Sequence, residues 1–194
     1  MHTATQQTDN SAHRGVFVTF EGVDGAGKST QCALVCAGLA MLGRTVERLR
    51  EPGGCAIGER VRAVLLDPEL SGMDPVCELL LYEAARAQLV AEVIRPALQA
   101  GSVVVSDRFY DSTMAYQGFA RGLGAQGVQR ANALACGEVA PDRTILLDLD
   151  PRGAFERATA SGADRLEQEG ESFQERVREG FLHVARQEPQ RVRV

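Results

Sequence analysis

The fold of this chain is decided by eight residues near its start, Gly22-Val23-Asp24-Gly25-Ala26-Gly27-Lys28-Ser29. The preceding residues, Val16-Phe17-Val18-Thr19-Phe20, are β-branched or aromatic and predict a buried strand. Lys28 begins an apolar stretch that reaches Leu42 and predicts a helix, which Gly43 ends. The eight residues therefore predict a glycine-rich turn that joins a buried strand to a helix.

This turn fits the pattern G-x-x-x-x-G-K-[ST] of a phosphate-binding P-loop, in which backbone N–H groups and the start of a helix face the phosphates. Lys28 is the only lysine of the sequence and stands at the one position where the pattern needs an ammonium group. We expect Lys28 to reach the β- and γ-phosphates and the Ser29 hydroxyl to bind Mg²⁺. A chance glycine-rich turn is the alternative, and the flanking strand and helix argue against it. The predicted nucleotide-binding residues are Gly22, Val23, Asp24, Gly25, Ala26, Gly27, Lys28, Ser29 and Thr30.

Length and composition favour one ordinary globular domain. The chain has 194 residues, of which 44% are hydrophobic and 24% charged, values that exclude a collagen-like or largely disordered protein. We expect residues 15–194 to form the domain and the polar residues 1–14 to form a disordered leader. The net charge of −5 argues against a nucleic acid as the partner, because nucleic-acid binding needs a basic surface.

The spacing of the cysteines and the length of the apolar runs indicate where in the cell the protein resides. The five cysteines include no C-x-x-C pair, so the sequence predicts neither a disulfide framework nor a zinc site. The longest apolar run, residues 32–42, is too short to span a bilayer. Residues 1–14 lack the apolar segment of a signal peptide. We therefore expect a cytoplasmic protein that does not associate with a membrane.

Short β-rich runs alternate with longer helical ones along the rest of the chain. Further strands are predicted at residues 45–49, 102–106 and 144–149, and a fifth begins at residues 191–194. Helices are predicted near residues 58–66, 74–100 with a bend at Pro96, 111–116, 126–136, 151–161 and 172–187. This alternation predicts an α/β fold with a parallel sheet and helices on both faces. Because a strand stands at the very end, we expect the last part of the domain to be missing from this chain.

Charged residues follow the second and third predicted strands. Arg50-Glu51-Pro52-Gly53-Gly54 follows one, and Asp107-Arg108-Phe109 follows the other. Parallel sheets bind ligands at the carboxyl ends of their strands, so these residues share an edge with the P-loop. Asp107 suits Mg²⁺ or its water shell, whereas Arg50 and Arg108 suit an acceptor phosphate. A solvated surface ion pair is the alternative for each segment, and the shared edge makes it the weaker one.

Six motifs now stand in a fixed order along the chain. They are the P-loop with Asp24 at its third position, Arg50-Glu51-Pro52-Gly53-Gly54, Ala84-Ala85-Arg86-x-Gln88, Asp107-Arg108, Ser112-x-x-Ala115-Tyr116-Gln117-Gly118 and Asp164-Arg165-Leu166-Glu167. This set resembles the bacterial thymidylate kinase family over about residues 15–194. The resemblance implies a P-loop kinase fold with a five-stranded parallel sheet and a short lid. It also implies a homodimer that transfers the γ-phosphoryl group of ATP to dTMP, with Mg²⁺, for dTTP biosynthesis.

The resemblance also assigns roles to individual residues of the acceptor site. Tyr82 would stack on the thymine, Arg86 would donate to the base O4, and Gln117 would contact the edge of the base. Tyr116 would crowd the sugar where a ribose 2′-OH would sit. From the residues alone, Tyr82 and Arg86 are better explained as a core aromatic and a surface arginine. The substrate-binding residues implied are Arg50, Glu51, Tyr82, Arg86, Asp107, Arg108, Ser112, Tyr116 and Gln117.

Phosphoryl transfer to a nucleoside monophosphate needs cations more than a general base, because the acceptor phosphate is already anionic and repels the donor. The resemblance counts Asp24, Lys28 and Arg108 as catalytic residues. Since the variable P-loop position is Gly25, a further arginine is expected from the lid, between residues 158 and 168. Residues 158–163 contain no arginine, which departs from the family pattern. The catalytic lid residue is then Arg157 or Arg165, and we favour Arg165 because it lies within the predicted mobile segment.

Other functions remain open at this point. A P-loop kinase that acts on another nucleoside monophosphate or small acceptor is the nearest alternative. A GTP-dependent switch would need an Asn/Thr-Lys-x-Asp motif, which a chain with a single lysine at position 28 cannot contain. A non-catalytic nucleotide-binding module would leave the acceptor-site arginines idle. The apolar stretches 76–81 and 89–98 would supply either the dimer interface or the core.

Overall fold

The computed structural model describes residues 14–152 and 165–194. Its strands are β1 (Val16–Glu21), β2 (Val46–Arg50), β3 (Val103–Asp107), β4 (Arg143–Leu146) and β5 (Val192–Arg193). Within the described ranges these five strands form one parallel sheet in the order β2-β3-β1-β4-β5. The predicted α/β class and parallel sheet are confirmed. Residues 1–13 of the predicted leader and the lid segment 158–163 lie outside the described residues.

The described helices fall close to the predicted segments, whereas residues 153–161 of the helix predicted at 151–161 lie outside the described residues. These helices are α1 (Lys28–Met41), α2 (Ala56–Leu66), α3 (Pro75–Leu89), α4 (Arg95–Gln99), α5 (Tyr110–Thr113), α6 (Ala125–Cys136) and α7 (Glu171–Gln187). Widened, π-helical turns occupy Val90–Ile94 and Met114–Ala120, and short 3-10 turns occupy Pro68–Leu70 and Glu167–Glu169. None of the described helices combines the length and the apolar character that crossing a bilayer requires.

The long helical segment from α3 to α4 begins and bends where its sequence predicts. The Asp74 carboxylate accepts hydrogen bonds from the backbone N–H groups of Val76 and Cys77, at 2.8 and 3.3 Å, and so caps α3. Pro96 lacks an N–H group and clashes with the preceding turn, so it disturbs the helix on its N-terminal side. The widened turn Val90–Ile94 lies there and joins α3 to α4.

Alternating side chains of the central strands bury two faces of the sheet. Val103 and Val105 pack with Phe20 and with Cys32 of α1 on one face. On the opposite face, Phe17 and Val104 pack with Leu89 and Ile94 of the α3–α4 segment. Successive side chains of a strand point to opposite faces, so these unbroken apolar strands need helices on both. The predicted two-faced arrangement is confirmed.

The register of the strands sets the position of the functional edge. Phe20 of β1 lies opposite Asp107 of β3, and Arg50 of β2 lies opposite the same residue. Glu21 and the P-loop therefore continue from the same edge as Asp107-Arg108 and Arg50-Glu51. The parallel sheet thus brings segments of the chain that are far apart in sequence to the site described next.

Candidate active site

The P-loop needs glycine at the two places where it leaves the strand and enters the helix. Gly22 has a φ of +140°, and a Cβ atom there would lie 2.5 Å from the carbonyl oxygen of Leu147. Gly27 has a φ of +91° and immediately precedes α1. Side-chain-bearing residues adopt such backbone angles only with strain. The loop can therefore curve between the strand and the N-terminus of α1, where backbone N–H groups are available to phosphate oxygens.

Lys28 holds its ammonium group inside the loop. Its Nζ donates a hydrogen bond of 2.8 Å to the carbonyl oxygen of Val23 and lies 3.9 Å from Oδ1 of Asp24. Burial and the nearby charge of Arg108 lower the pKa of Lys28 to about 8. A compact, buried cation therefore occupies the centre of the predicted phosphate site.

Ser29 and Asp107 form the pair of oxygen ligands that the sequence predicts for Mg²⁺. The Ser29 hydroxyl, at the start of α1, donates a hydrogen bond to the carboxylate of Asp107 at the end of β3. No group of three or more His, Cys, Asp or Glu side chains among the described residues is arranged to hold a metal. Magnesium in nucleotide sites is held by one or two protein oxygens together with phosphates and water. A hydroxyl beside a carboxylate is a donor set that fits it.

Arg108 has an unusual backbone conformation at the end of β3. Its φ is +74°, which a residue with a side chain adopts only at a cost. Two hydrogen bonds hold it there: the Arg108 N–H donates to the carbonyl of Phe20 at 2.9 Å, and the Ser106 hydroxyl donates to the Arg108 carbonyl at 2.8 Å. This turn directs the side chain of Arg108 back toward the P-loop.

The Arg108 guanidinium connects the P-loop to the helix that follows β3. It donates to the carbonyl of Gly22 at 3.0 Å, to the Ser112 hydroxyl at 3.0 Å, to the Tyr116 hydroxyl at 3.2 Å and to the carboxylate of Asp24. Burial raises the pKa of Asp24, but the charges of Arg108 and Lys28 outweigh it and lower the pKa to about 2. Asp24 is therefore ionised, and it fixes the direction of the guanidinium.

A cleft opens beside Arg108, and about 520 Å³ of unfilled space, part of it open to solvent, lies within it. Seven of the nine residues predicted to bind substrate line it: Glu51, Tyr82, Arg86, Arg108, Ser112, Tyr116 and Gln117. The remaining wall is formed by Asp24, Pro52, Arg62, Leu66, Phe109, Thr113 and Leu166. Aromatic and apolar groups with a few charged ones are typical of a small-molecule site.

Arg86 is held rigidly at one wall of the cleft. Its Nε donates to Glu51 at 2.9 Å, and its Nη1 donates to Glu83 at 2.7 Å and to the side-chain carbonyl of Asn132 at 3.1 Å. Burial raises the pKa of Glu51 to about 7 against the opposing charge of Arg86. These partners use Nε and Nη1, so Nη2 is the guanidinium nitrogen that the described residues leave for a ligand.

Comparison with known proteins identifies the family of this sequence. A sequence profile described as thymidylate kinase matches residues 20–194. The chain belongs to the thymidylate kinase family. It is 52% identical to the thymidylate kinase of Solidesulfovibrio magneticus over an alignment of 187 residues that covers 92% of this chain and 90% of that protein. It is 53% identical to the thymidylate kinase of Desulforudis audaxviator over 176 residues, which are 90% and 80% of the two chains.

The fold is also similar to that of a solved thymidylate kinase. The crystal structure of thymidylate kinase from Ehrlichia chaffeensis superimposes with a TM-score of 0.79 at 34% identity. The match covers 93% of this chain and 92% of that one. The predicted P-loop kinase fold is thereby confirmed, with the sheet and helices of a thymidylate kinase.

The structure does not bring every predicted thymidylate kinase residue to the cleft. Arg50 was expected at the acceptor phosphate, but its guanidinium pairs with Glu59 at 2.8 Å and donates to the carbonyl of Pro52 at 3.1 Å. It is half-exposed and does not line the cleft. Asp107 lies beside Ser29 at the P-loop instead. Arg50, the first residue of the Arg-Glu-Pro-Gly-Gly motif, therefore stabilises its own loop, whereas Glu51 binds Arg86 in the cleft.

Arg165 also differs from the expectation for a lid residue. Its Nη1 lies 2.6 Å from Glu78 of α3, its Nε donates to the carbonyl of Leu65 at 2.8 Å, and its side chain is buried. Arg157, the alternative lid residue, lies outside the described residues, as does Asp164. The structure therefore places Arg165 in a buried pair between α2 and α3, rather than in an exposed segment.

Sequence reasoning missed Glu21, whose carboxylate holds two residues next to Arg108 in the turn after β3. Its carboxylate is fully buried and accepts hydrogen bonds from the Phe109 N–H at 2.8 Å and the Ser112 hydroxyl at 2.6 Å. Burial, with a contribution from Asp111, raises the pKa of Glu21 to about 8. An acidic residue at the end of a buried strand, directly before the P-loop, is the feature that would have revealed it.

Proposed function

We propose that the P-loop binds ATP with Mg²⁺, and that the cleft binds dTMP with its phosphate at Arg108 and its base at Arg86. Membership of the thymidylate kinase family makes the reaction an ATP-dependent phosphoryl transfer to dTMP that yields dTDP. The observation that supports this placement best is Arg108, which contacts the P-loop at Gly22 and Asp24 while it lines the cleft. The relatives compared give no support to a kinase for a different acceptor.

The acceptor phosphate would meet its cation at Arg108. A nucleoside monophosphate loses its second phosphate proton near pH ~6, so its attacking oxygen needs no dedicated base at neutral pH. The barrier comes from repulsion between two anionic groups, and aligned cations lower it. Asp24 and Tyr116 hold the guanidinium in one direction. A forked arginine so oriented can bind two phosphate oxygens at once.

The donor phosphates would meet Lys28 and the oxygen pair Ser29–Asp107. Lys28 would leave the carbonyl of Val23 for phosphate oxygens, which are stronger acceptors. Ser29 and Asp107 are the residues that would hold Mg²⁺, whose role is to neutralise charge on the phosphates. Cations from the protein then surround the transferred group on both the donor and the acceptor side.

The base would lie between Tyr82 and the polar pair Arg86 and Gln117. Tyr82 belongs to α3 one turn before Arg86, and both line the cleft. Arg86 offers a donor, which suits the O4 of thymine. Tyr116 closes the cleft where its hydroxyl meets Arg108 and Asp24. These contacts support a deoxynucleotide whose base carries a carbonyl at this position.

We also propose a homodimer that forms through α3. Val76 and Leu80 are 48% and 59% exposed on the outer face of α3, whereas Leu89 and Leu98 are buried in the core. Val76 and Leu80 of the stretch 76–81 therefore remain available to a partner, whereas the buried leucines of the stretch 89–98 do not. Light scattering should give twice the monomer mass, and Leu80→Glu should reduce it. A cytoplasmic location is supported by the five cysteines, all of which are free thiols.

The direct test is ADP release across a panel of deoxynucleoside monophosphates, with ATP and Mg²⁺. We expect dTMP to be the best acceptor, and Lys28→Ala to abolish the dTMP-dependent signal while the protein remains folded. Omitting the acceptor measures background ATP hydrolysis. Equal rates with all acceptors, or ADP release that does not depend on an acceptor, would contradict the proposal.

A further inference from the structure

Glu78 is a buried carboxylate on the first turn of α3 that was not among the expected site residues. Its side chain is fully buried, and three side chains donate hydrogen bonds to it. Gln117 donates through Nε2 at 2.7 Å, Arg121 donates through Nε and Nη2 at 3.2 and 3.0 Å, and Arg165 lies 2.6 Å away through Nη1. Two guanidinium groups and one amide therefore share one carboxylate.

These partners keep Glu78 ionised. Burial raises the pKa of Glu78, but hydrogen bonds from Arg121 and Gln117 outweigh it and leave the pKa below its usual value. An ionised carboxylate accepts hydrogen bonds and has none to donate. Gln117 can therefore face Glu78 only with its NH₂ group. Its carbonyl oxygen accepts no hydrogen bond from the described residues, and Gln117 lines the cleft.

We propose that Glu78 is a positioning residue for base specificity, because it fixes the Gln117 amide with the carbonyl oxygen toward the base. This inference rests on the proposed function. A carbonyl oxygen in that place accepts a hydrogen bond from a base with a ring N–H donor, as thymine and uracil have at N3. Cytosine has an acceptor at N3, so its N3 lone pair would lie opposite the Gln117 carbonyl oxygen with no hydrogen between them. Without Glu78, a glutamine side chain could present either its oxygen or its NH₂ group.

Arg86 and Gln117 would each select the base by a separate hydrogen bond. Arg86 presents a donor, for the O4 of thymine, and Gln117 presents an acceptor, for N3–H. Cytosine has the opposite groups, an amino donor and a ring acceptor, at both places. A site whose buried polar groups are left unpaired rejects a ligand more strongly than an apolar pocket does. Arg86 is fixed by Glu51 and Glu83, and Glu78 does the same for Gln117.

The test is Glu78→Gln, measured as kcat/KM for dTMP and for dCMP. The introduced amide can accept from Gln117 or donate to it, so Gln117 is free to turn. We expect the dTMP-to-dCMP ratio to fall by about tenfold or more, the range expected when one donor–acceptor match is lost. The matched control is Glu169→Gln, which neutralises the other carboxylate paired with Arg121 but leaves Glu78 and Gln117 in place, and it should leave the ratio unchanged. A purely structural role would lower both kcat/KM values equally.

A second variant keeps the inference testable if Glu78→Gln does not fold. Gln117→Met removes the amide and should lower the same ratio by a similar factor. Where both variants fold, adding Glu78→Gln to Gln117→Met should change the ratio no further, since Glu78 acts through Gln117. An unchanged ratio in Gln117→Met, or a further drop in the double variant, would overturn the inference. A wild-type protein that does not phosphorylate dTMP would instead overturn the proposed function.

Discussion

The guanidinium of Arg165 lies 2.6 Å from the carboxylate of Glu78, and the two side chains are 2% and 0% exposed. This pair joins the segment that follows residue 164 to α3, and the Arg165 Nε joins it to α2 through the carbonyl of Leu65. A buried ion pair that loses one partner leaves an uncompensated charge, which costs more than the pair itself gains. The contact therefore makes Arg165 a stabilising residue.

Arg165→Ala should lower the free energy of unfolding by about 3 kcal/mol, because Glu78 loses one of its two cations and a cavity remains. Urea unfolding measures it. Arg152→Ala is the matched control, since Arg152 pairs with Asp150 in an exposed position and its removal should leave the free energy of unfolding nearly unchanged. Unchanged stability together with a collapse of kcat and intact ATP binding would return Arg165 to the phosphate role that its sequence position favours.

Lys28→Arg tests the shape of the phosphate site rather than its charge. The ammonium sits within the loop at 2.8 Å from the carbonyl of Val23, and a planar guanidinium is too bulky for that place. We expect turnover to fall by at least ~10²-fold, the scale of one misplaced transition-state cation, with the thermal melting curve unchanged. Near-normal turnover in the folded variant would remove Lys28 from the mechanism.

Glu21 should make stability depend on pH. Its pKa is about 8 in the folded protein, against an ordinary value of 4.5, so between these values the folded state holds a proton that the unfolded state releases. The contribution of Glu21 to stability is then fully present below about pH 4.5 and is lost as the pH rises toward 8. Glu51, with a pKa of about 7, acts in the same direction.

Unfolding in urea at pH 5.5 and pH 8 measures this dependence. Glu21→Gln keeps an acceptor for the Phe109 N–H but cannot ionise, so the variant should lose less stability than the wild type, by on the order of 2 kcal/mol. Glu69→Gln, at an exposed carboxyl, is the control and should behave like the wild type. Identical losses in the wild type and Glu21→Gln would show that the Glu21 carboxyl does not titrate as described.

Much of the fold was predictable because its local patterns agree with its packing. The strand, glycine-rich turn and helix around Gly22–Ser29 combine local conformational requirements with a motif of fixed spacing, and the structure confirms them. The bend near Pro96 follows from the chemistry of one residue. The end of β4 was less predictable: the predicted strand extends over residues 147–149, yet the strand ends at Leu146. Its partner strand β5 pairs only with Thr144 and Ile145.

The side-chain partners at the site were harder to predict from sequence. Arg50 and Arg108 stand after neighbouring strands and look equivalent, but Glu59, one helical turn into α2, pairs with Arg50, and the left-handed turn at Arg108 directs that side chain to the P-loop. Glu78 and Arg165 are 87 positions apart and meet only in the fold. Motif spacing identifies residues at one edge of a sheet, whereas the choice among neighbouring carboxylates depends on three-dimensional packing.

The most direct test of the account is the selectivity of the wild-type protein, as kcat/KM for dTMP, dUMP and dCMP with saturating ATP and Mg²⁺. The donor of Arg86 and the acceptor of Gln117 should favour dTMP far above dCMP, because cytosine leaves both groups unpaired. The value for dUMP should lie between them, since uracil lacks only the methyl group of thymine. A kcat/KM for dCMP equal to that for dTMP would contradict the placement of the base in this cleft.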